Sequence, residues 1–527
     1  MPEFETLIFS EGWQSLERGQ TRRQFEQQAL PAYLSKQRWF ASKGTAVKSA
    51  RLASRFVLSG RGKDWLLAVF RASLADGRSE DYFVPLAVAW DDESVDSLPP
   101  NDDEIIVHIS RDNHTGVLRE ALADPHFIAD LVRAAGEERK LAGSNGTLRF
   151  SHTSAYFHLQ EEDEQCIKKL GVEQSNSSVL IANKMILKTY RKLERGVQPE
   201  LEMGRYLTDV AGYRNTPPLL GSIEQFDSGE QPTALAVIQG FVPNQGDGWS
   251  FTLGHLKRFF DVILQGKADD PRNHSYVALM ERLGIRIGEL QQAFAVESCD
   301  PAFRPEPITT ADVDTRKQEI QAEAEITFGL LANSESMLPP EQRSRVRALL
   351  DQRNHILNLI SSFKLEPDST LMKTRFHGDL HLGQVLVAGD DFYIIDFEGE
   401  PARTFAQRRA KQSPLKDVAG MLRSLNYAAW SALFESGSGE TGKIARLEKP
   451  AIEWAQTSSD ALMRGYRKAA EGCSSYPAKP EIFRQLLDLF ILEKALYEIR
   501  YELANRPSWL RIPVEGILSL LERSRNQ

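Results

Sequence analysis

The feature that most constrains this chain is residues 375–400, which read RFHGDLHLGQVLVAGDDFYIIDFEGE. The middle of this stretch has two short apolar runs on either side of a Gly-Asp-Asp turn, which predicts a β-hairpin. A hairpin returns the chain to the end from which it started, so the polar segments that flank it meet there. We therefore expect Asp379, Gln384 and Asp396 to lie close together.

These three residues have the spacing of a phosphoryl-transfer site. Transfer from ATP requires a carboxylate near the accepting hydroxyl and oxygen ligands for Mg²⁺. Kinase catalytic loops combine His-x-Asp with an amide residue after four intervening positions, and an Asp-Phe-Gly segment follows. Here His377-Gly-Asp379 has Gln384 at that spacing, and Asp396-Phe-Glu stands where Asp-Phe-Gly would. The joint pattern predicts a kinase-like site.

The alternative interpretation makes Asp379 and Asp396 ordinary turn acids. Either residue alone would fit that interpretation, but their spacing with His377 and Gln384 favours the kinase-like site. Glu398 occupies the glycine position of Asp-Phe-Gly and gives up backbone freedom. We therefore do not expect this segment to flip as it does in protein kinases.

A nucleotide site also needs a cation for the phosphates. Lys188, in the strand MILKTY, is placed to meet the α- and β-phosphates of ATP. The helix that opens at Pro199 brings Glu200 and Glu202 as residues that could pair with this lysine. A surface ion pair is the alternative, and the kinase-like pattern further along the chain favours the nucleotide role.

The turn before that strand, EQSNSS, has no G-x-G-x-x-G sequence. Ser175, Asn176 and Ser177 offer hydroxyl, amide and backbone N–H donors, which can bind phosphate without glycine. As a turn sequence this signal has low specificity.

Asp417 begins a helix just after the hairpin. It either caps that helix or, like an Asp at this place in kinase-like lobes, holds the backbone of the catalytic loop. We expect the second role.

The helix predicted over residues 484–506 has two different faces. Its core stripe consists of Leu489, Leu492, Leu496, Ile499 and Leu503. At about 100° per residue, the opposite face carries Lys494, Tyr497, Glu498 and Tyr501. Aromatic faces with mixed polar groups suit a sugar. Tyrosines at an ordinary interface are the alternative, which the residues alone favour.

Composition excludes several classes of protein. The 527 residues predict two to four units, and no apolar run is long enough for a membrane span. A formal charge of -9 argues against nucleic acid as a partner. The N-terminus has no secretory signal, so a cytoplasmic location is expected. Three widely spaced cysteines indicate neither disulfides nor a zinc site.

The order of predicted elements indicates an α+β protein. A helix over residues 25–43 is followed by three alternating strand-like runs, and the chain becomes mostly helical beyond about residue 250. The predicted parts are an N-terminal extension (1–24), a β-rich subdomain (25–125), a nucleotide-binding subdomain (126–245) and a helical lobe with the hairpin and the sugar face (246–527).

Seven segments of the sequence resemble the maltokinase family, within the aminoglycoside-phosphotransferase-like kinases. They extend from about residue 30 to residue 520, and jointly they are highly specific. The segments are QRWFASK, EQSNSS, ILKTYRK with PELE after it, HGDLHLGQVL, IDFEGEP, SPLKDVAGMLRS and YEIRYELANRPSWLRIP.

The resemblance implies a bilobal, protein-kinase-like fold with an N-terminal cap, to which the β-rich subdomain would belong. It implies transfer of the γ-phosphoryl group of ATP to the anomeric hydroxyl of maltose, which gives maltose 1-phosphate for α-glucan synthesis. ATP and Mg²⁺ are the implied cofactors. Fusion or association with a trehalose synthase is also implied, since maltokinases often occur behind that domain.

The resemblance also assigns roles to residues. Asp379 would be the catalytic base, and Gln384 and Asp396 would hold Mg²⁺. Lys188 would contact phosphate, with Glu202 preferred over Glu200 as its partner. The residues that would line the maltose pocket are His381, Lys494, Tyr497 and Tyr501.

Three other functions fit parts of the sequence. The first is a kinase for another small sugar or amino sugar, such as glucosamine, although Lys494 disfavours a cationic acceptor. The second is a protein kinase, against which the missing glycine-rich loop and Ala-Pro-Glu segment argue. The third is a scaffold without activity, against which the complete set of charged site residues argues.

Overall fold

The computed structural model describes residues 6–92, 103–171, 176–266, 271–364, 370–437 and 441–525. The chain forms two compact units. The first comprises residues 1–210 and 217–243, and the second comprises residues 211–216 and 244–527. Within the described ranges, no helix is long and apolar enough to cross a membrane.

The first unit is rich in strands. Its helices are α1 (Gly19–Gln24), α2 (Leu30–Lys36), α3 (Pro125–Gly136) and α4 (Pro199–Asp209). Its strands are β1 (Leu7–Ile8), β2 (Val47–Gly60), β3 (Lys63–Leu74), β4 (Ser79–Phe83), β5 (Leu86–Trp90), β6 (Ile105–Arg111), β7 (His114–Glu120), β8 (Lys140–Gly143), β9 (Gly146–His152), β10 (Ile167–Lys169), β11 (Asn176–Ile181), β12 (Met185–Tyr190), β13 (Lys192–Leu193), β14 (Leu219–Phe226) and β15 (Pro232–Gly240).

The first sheet contains the predicted alternating runs. Its strand order is β1-β6-β7-β5-β3-β4-β13, with β2 paired to β3. The third predicted run is two strands, β4 and β5, because Pro85 between them has no N–H for a ladder. The helix predicted over residues 25–43 ends earlier, at Lys36. Leu7 and Phe9, from the predicted N-terminal extension, lie in the core of this sheet.

The second sheet has the order β10-β11-β12-β15-β14-β9-β8. The hairpin of β11 and β12 has a three-residue loop between the paired residues Ile181 and Met185, and its first two residues, Ala182 and Asn183, have positive φ. The helix predicted to open at Pro199 does so as α4, with the Gln198 side chain as its cap. The hairpin and the helix therefore form where the sequence predicts them.

The second unit is mostly helical, as predicted. Its helices are α5 (Gly248–Leu264), α6 (Pro271–Phe294), α7 (Thr310–Ser334), α8 (Pro340–Asp351), α9 (Arg353–Ser362), α10 (Phe405–Arg408), α11 (Leu415–Gly437), α12 (Thr441–Ala470), α13 (Pro480–Asn505) and α14 (Arg511–Arg525). Its strands are β16 (Glu306–Pro307), β17 (Met372–Lys373), β18 (Val385–Ala388) and β19 (Asp391–Ile394).

Residues 375–400 contain the predicted hairpin. Strands β18 and β19 pair antiparallel from Val385 opposite Ile394 to Ala388 opposite Asp391, and Gly389 turns the chain with a φ of 61°. The hairpin core is buried, with Val385 and Ile394 both at 0% exposure. The predicted α+β class is confirmed, with a β-rich first unit and a helical second unit.

Candidate active site

The loop before the hairpin is held by α11. The carboxylate of Asp417, in the first turn of α11, accepts the backbone N–H groups of His377 at 2.7 Å and Gly378 at 2.9 Å. Gly420 lets the same helix approach closely, since a Cβ there would lie 2.6 Å from the carbonyl oxygen of Leu380. Asp417 therefore contacts the catalytic-loop backbone, the arrangement expected from the sequence.

His377 fixes the loop from the inside. The side chain is buried, and its Nε2–H donates to the carbonyl oxygen of Ile395 at 2.9 Å. Its Nδ1 accepts the N–H of Asp379 at 3.3 Å, so the geometry requires the neutral ring with its proton on Nε2. The imidazole thus ties the start of the loop to the end of β19.

Asp379 stands between two basic side chains. The Lys494 ammonium on α13 lies 3.4 Å from its Oδ1, and Nε2 of His381 lies 4.0 Å from its Oδ2. Burial lowers the pKa of Lys494, but the carboxylates of Asp379, Glu498 and Glu400 more than offset this, and the pKa is raised. Lys494 is therefore a charged partner of the aspartate.

His381 is held as a neutral ring. Its Nδ1 accepts the N–H of Gly383 at 3.0 Å, which a protonated nitrogen could not do. Burial lowers the pKa of His381, and the opposing effect of the Asp379 carboxylate is smaller than that of burial. The ring is thus an uncharged neighbour of the aspartate.

Gln384 and Asp396 meet at the open end of the hairpin, opposite the turn at Gly389. The Gln384 amide donates to Oδ2 of Asp396 at 2.8 Å, and Asp396 has a φ of 65°, which is uncommon for a residue other than glycine. Gly399, which follows the Glu398 that stands in the glycine position of Asp-Phe-Gly, also has positive φ. One carboxylate and one amide oxygen form a hard donor set that fits Mg²⁺.

A pocket opens beside Asp379 in the second unit. The predicted Lys494 and Tyr497 line it, whereas Tyr501 and His381 are not among its lining residues. Tyr501 stacks on Tyr497 with ring centroids 6.4 Å apart and is 45% exposed. Glu498, predicted on the same face, instead binds Arg423 at 2.6 Å and is buried.

Several charged residues of this pocket were not predicted from the sequence to line it. They are Glu323, Glu400, Arg403, Lys416 and Glu493. Two of them had a signal in the sequence, since Glu400 and Arg403 directly follow the Asp-Phe-Glu segment. Glu323 had none, because it comes from α7, far away in the chain.

The pocket carboxylates are paired with cations. Glu400 binds Arg403 at 2.6 Å, and Glu323 binds Arg500 at 3.2 Å.

Glu493 is the most buried member of this group. It binds Lys416 at 2.8 Å and Arg316 at 3.1 Å. Burial raises the pKa of Glu493, but the positive charges of Lys416 and Arg316 outweigh burial and the pKa is lowered.

The residues predicted to bind the nucleotide lie in the first unit, on the second sheet and at the start of α4. The Lys188 ammonium binds Oε2 of Glu200 at 2.9 Å, and the Tyr190 hydroxyl donates to the same oxygen at 2.7 Å. Glu200, the less preferred of the two predicted acids, is therefore a partner of Lys188. Glu200 is the second residue of α4 and is 2% exposed, whereas Glu202, two residues further round the helix, is only half-buried.

The polar segment EQSNSS leads into β11 rather than directly into β12, and it is only partly described. Ser175 lies outside the described residues. Asn176 begins β11 and is buried, and the Ser177 hydroxyl accepts from Nε of Arg191 at 2.7 Å. A phosphate-binding role for this turn stays a prediction.

Comparison with known proteins agrees with this architecture. Residues 33–124 match the maltokinase N-terminal cap domain. A glucosamine kinase of Mycolicibacterium smegmatis is 24% identical over 358 residues, 67% of this chain and 79% of that protein. A glucosamine kinase of Streptacidiphilus jiangxiensis is 22% identical over 352 residues, 66% and 72% respectively.

The fold has a solved counterpart. A glucosamine kinase in complex with glucosamine, ADP and inorganic phosphate superimposes with a TM-score of 0.62 at 18% identity, covering 93% of this chain and 99% of that one. Together with the match at residues 33–124, this confirms the resemblance seen in the sequence motifs. The chain therefore has a segment that matches the maltokinase N-terminal cap domain, and it has the fold of the solved glucosamine kinases.

Proposed function

We propose that this protein is a sugar kinase that transfers the γ-phosphoryl group of ATP to the anomeric hydroxyl of maltose. The cap-domain match and the kinase fold support a sugar kinase. The observation that carries the choice of acceptor is the charge pairing of the pocket at Asp379. Glu323, Glu400 and Glu493 each have a cationic partner, which weakens the attraction of these carboxylates for the ammonium of an amino sugar.

In this proposal Asp379 is the base for the acceptor hydroxyl. The Lys494 ammonium, 3.4 Å away, stabilises the ionised carboxylate that accepts the proton. The free lone pair of His381, on Nδ1, already accepts the N–H of Gly383, so the ring leaves this role to the aspartate and offers an Nε2–H to a sugar oxygen. Tyr497 presents an aromatic face on which a pyranose can stack.

The phosphate side of the proposed reaction uses other residues. Lys188, oriented by Glu200, would bind the phosphates of ATP. Gln384 and Asp396 would hold Mg²⁺, which when bound neutralises charge on the phosphates. The family resemblance further supports association or fusion with a trehalose synthase.

A panel of acceptors tests this function. ADP release would be measured with ATP, Mg²⁺ and maltose, glucose or glucosamine in turn. We expect kcat/KM to be at least about tenfold higher for maltose than for glucosamine, because the latter must bring an ammonium beside Lys494. A preference for glucosamine, the substrate that names the related proteins, would overturn the proposed acceptor.

A further inference from the structure

The second unit holds another pocket, beside the one at Asp379. It has a volume of about 260 Å³ and lies between α7, α13 and the segment before α11. We call it the side pocket. Phe490 lines both pockets, so the two are neighbours. The proposed reaction makes no use of this space.

One wall of the side pocket is apolar. It is formed by Ile308, Val313, Phe363, Leu486, Leu489 and Phe490. Two of these side chains are aromatic, and an aromatic face packs well on the C–H side of a sugar ring. An apolar lining with a few convergent polar groups is typical of small-molecule sites.

The charges of the side pocket are balanced. Lys373 binds Asp312 at 2.8 Å, and Arg316 binds Glu319 at 2.6 Å. Lys411 is likewise paired, with Glu306. Each cation in the lining thus has an acidic partner, which disfavours a phosphate or another anion. The ion pairs still present donors and acceptors to a neutral ligand.

Two polar groups in the lining of the side pocket lack a hydrogen-bond partner among the described residues, and the first is the hydroxyl of Ser413. It lines the side pocket and is 4% exposed, and its hydroxyl has no hydrogen-bond partner among the described residues. Nε of Arg316, in the same lining, also has none there. A buried hydroxyl and a buried N–H without partners are unfavourable, and a ligand hydroxyl would satisfy either one.

We propose that the side pocket binds one or more rings of a neutral carbohydrate. The ring belongs either to the far end of an acceptor held at Asp379 or to a second sugar molecule. The chemistry of the walls is the same for both sources. Only the choice of an α-linked glucose oligomer as the probe rests on the proposed function.

Calorimetric titration of the full-length protein with maltotriose, without nucleotide, tests this inference. Ala311 lines the side pocket but is exposed, so Ala311→Trp fills the space without entering the core. Ala332→Trp, at an exposed position of the same helix outside the lining of both pockets, is the matched control. Tyr497→Ala removes the aromatic platform of the pocket at Asp379.

We expect Ala311→Trp to weaken maltotriose binding by about tenfold or more, or to remove one of two binding events. Ala332→Trp should bind as the unmodified protein does. A single event that both Ala311→Trp and Tyr497→Ala weaken assigns the side pocket to the far end of one molecule. Two events, each lost in one variant, assign it to a second molecule.

Unchanged affinity and stoichiometry in Ala311→Trp would overturn the inference, as would an unmodified protein that binds no maltotriose. An unaltered kcat at saturating acceptor shows that the variant is folded. If maltose is not phosphorylated but Ala311→Trp still loses maltotriose, then the proposed function fails and the side pocket stands.

Discussion

Asp379 owes its chemistry to three neighbours in the second unit. His377 and Asp417 fix the backbone that carries it, and Lys494 places a positive charge 3.4 Å from its carboxylate. A carboxylate held in this way can accept the proton of a sugar hydroxyl as the hydroxyl attacks phosphorus.

Replacing this carboxylate tests its role as the base. Asp379→Asn keeps the size of the side chain and removes the proton acceptor, so kcat should fall by about 10³-fold or more. Nucleotide affinity should change less than about twofold, as measured with a fluorescent ATP analogue. An Asn variant with normal turnover would remove Asp379 from the mechanism.

The ion pair on the second sheet gives a prediction with an internal control. Glu200→Gln removes the charge that orients Lys188, so the KM for ATP should rise by about tenfold. Glu202→Gln, two residues away on α4, should leave it within about twofold. Steady-state kinetics at saturating acceptor measure both, and equal effects would refute the pairing as the functional one.

The neutral ring of His381 predicts a pH dependence. Its pKa in the folded protein lies below the usual 6.5, so the unfolded chain binds the proton more readily. The contribution of this group to stability is therefore lost as the pH falls below about 6.5. Proton NMR should give a titration midpoint for His381 under 6.5 when compared with a His381→Gln spectrum, and a midpoint above 6.5 contradicts the assignment.

At the scale of elements, α11 and α13 organise the pocket around a buried charge. Glu493 of α13 faces Lys416 of α11 and Arg316 of α7, so one carboxylate joins three helices. Removing this carboxylate takes away the ion-pair partner of the buried Lys416 and one of the two acidic partners of Arg316.

Glu493→Gln should therefore destabilise the protein by about 3 kcal/mol, measured as the change in free energy of urea unfolding. Glu453→Gln is the control, because Glu453 and its partner Lys449 on α12 are 65% and 84% exposed. Exposed pairs contribute little, so this variant should unfold with the unmodified protein. If both variants have the same free energy of unfolding, the ion pairs of Glu493 do not stabilise the fold.

The success of sequence reasoning differs from element to element. The catalytic hairpin was predictable because its turn, its apolar runs and its polar ends are all local in sequence. Glu323 was not, because helix packing brings it from α7 to the pocket. Glu498 has the right helical phase for the sugar face, but α11 packs against that edge and supplies Arg423 as its partner.

The nucleotide site shows a related limit. The strand of Lys188 and the start of α4 were both predictable from periodicity and from Pro199. Which of two acids faces the lysine depends on the angle at which the helix leaves the loop. Because Glu200 and Glu202 differ by about 200° around a helix, a small change in that angle selects between them.

At the scale of the whole molecule, the proposed function rests on two parts of the chain. The first unit contains residues 33–124, which match the maltokinase N-terminal cap domain, and the second contains the hairpin and the pocket at Asp379. The kinase fold is common to enzymes with different acceptors. The acceptor must therefore be argued from the pocket, where the paired charges favour a neutral sugar.

Phosphorus NMR of the product formed from maltose, ATP and Mg²⁺ tests the central claim most directly, because it reports both the acceptor and the phosphorylated oxygen. We expect a sugar-phosphate resonance split by the anomeric proton, formed as the signals of ADP appear. We expect no such product with Asp379→Asn. No reaction with maltose, together with a phosphate ester on glucosamine, would contradict the claim.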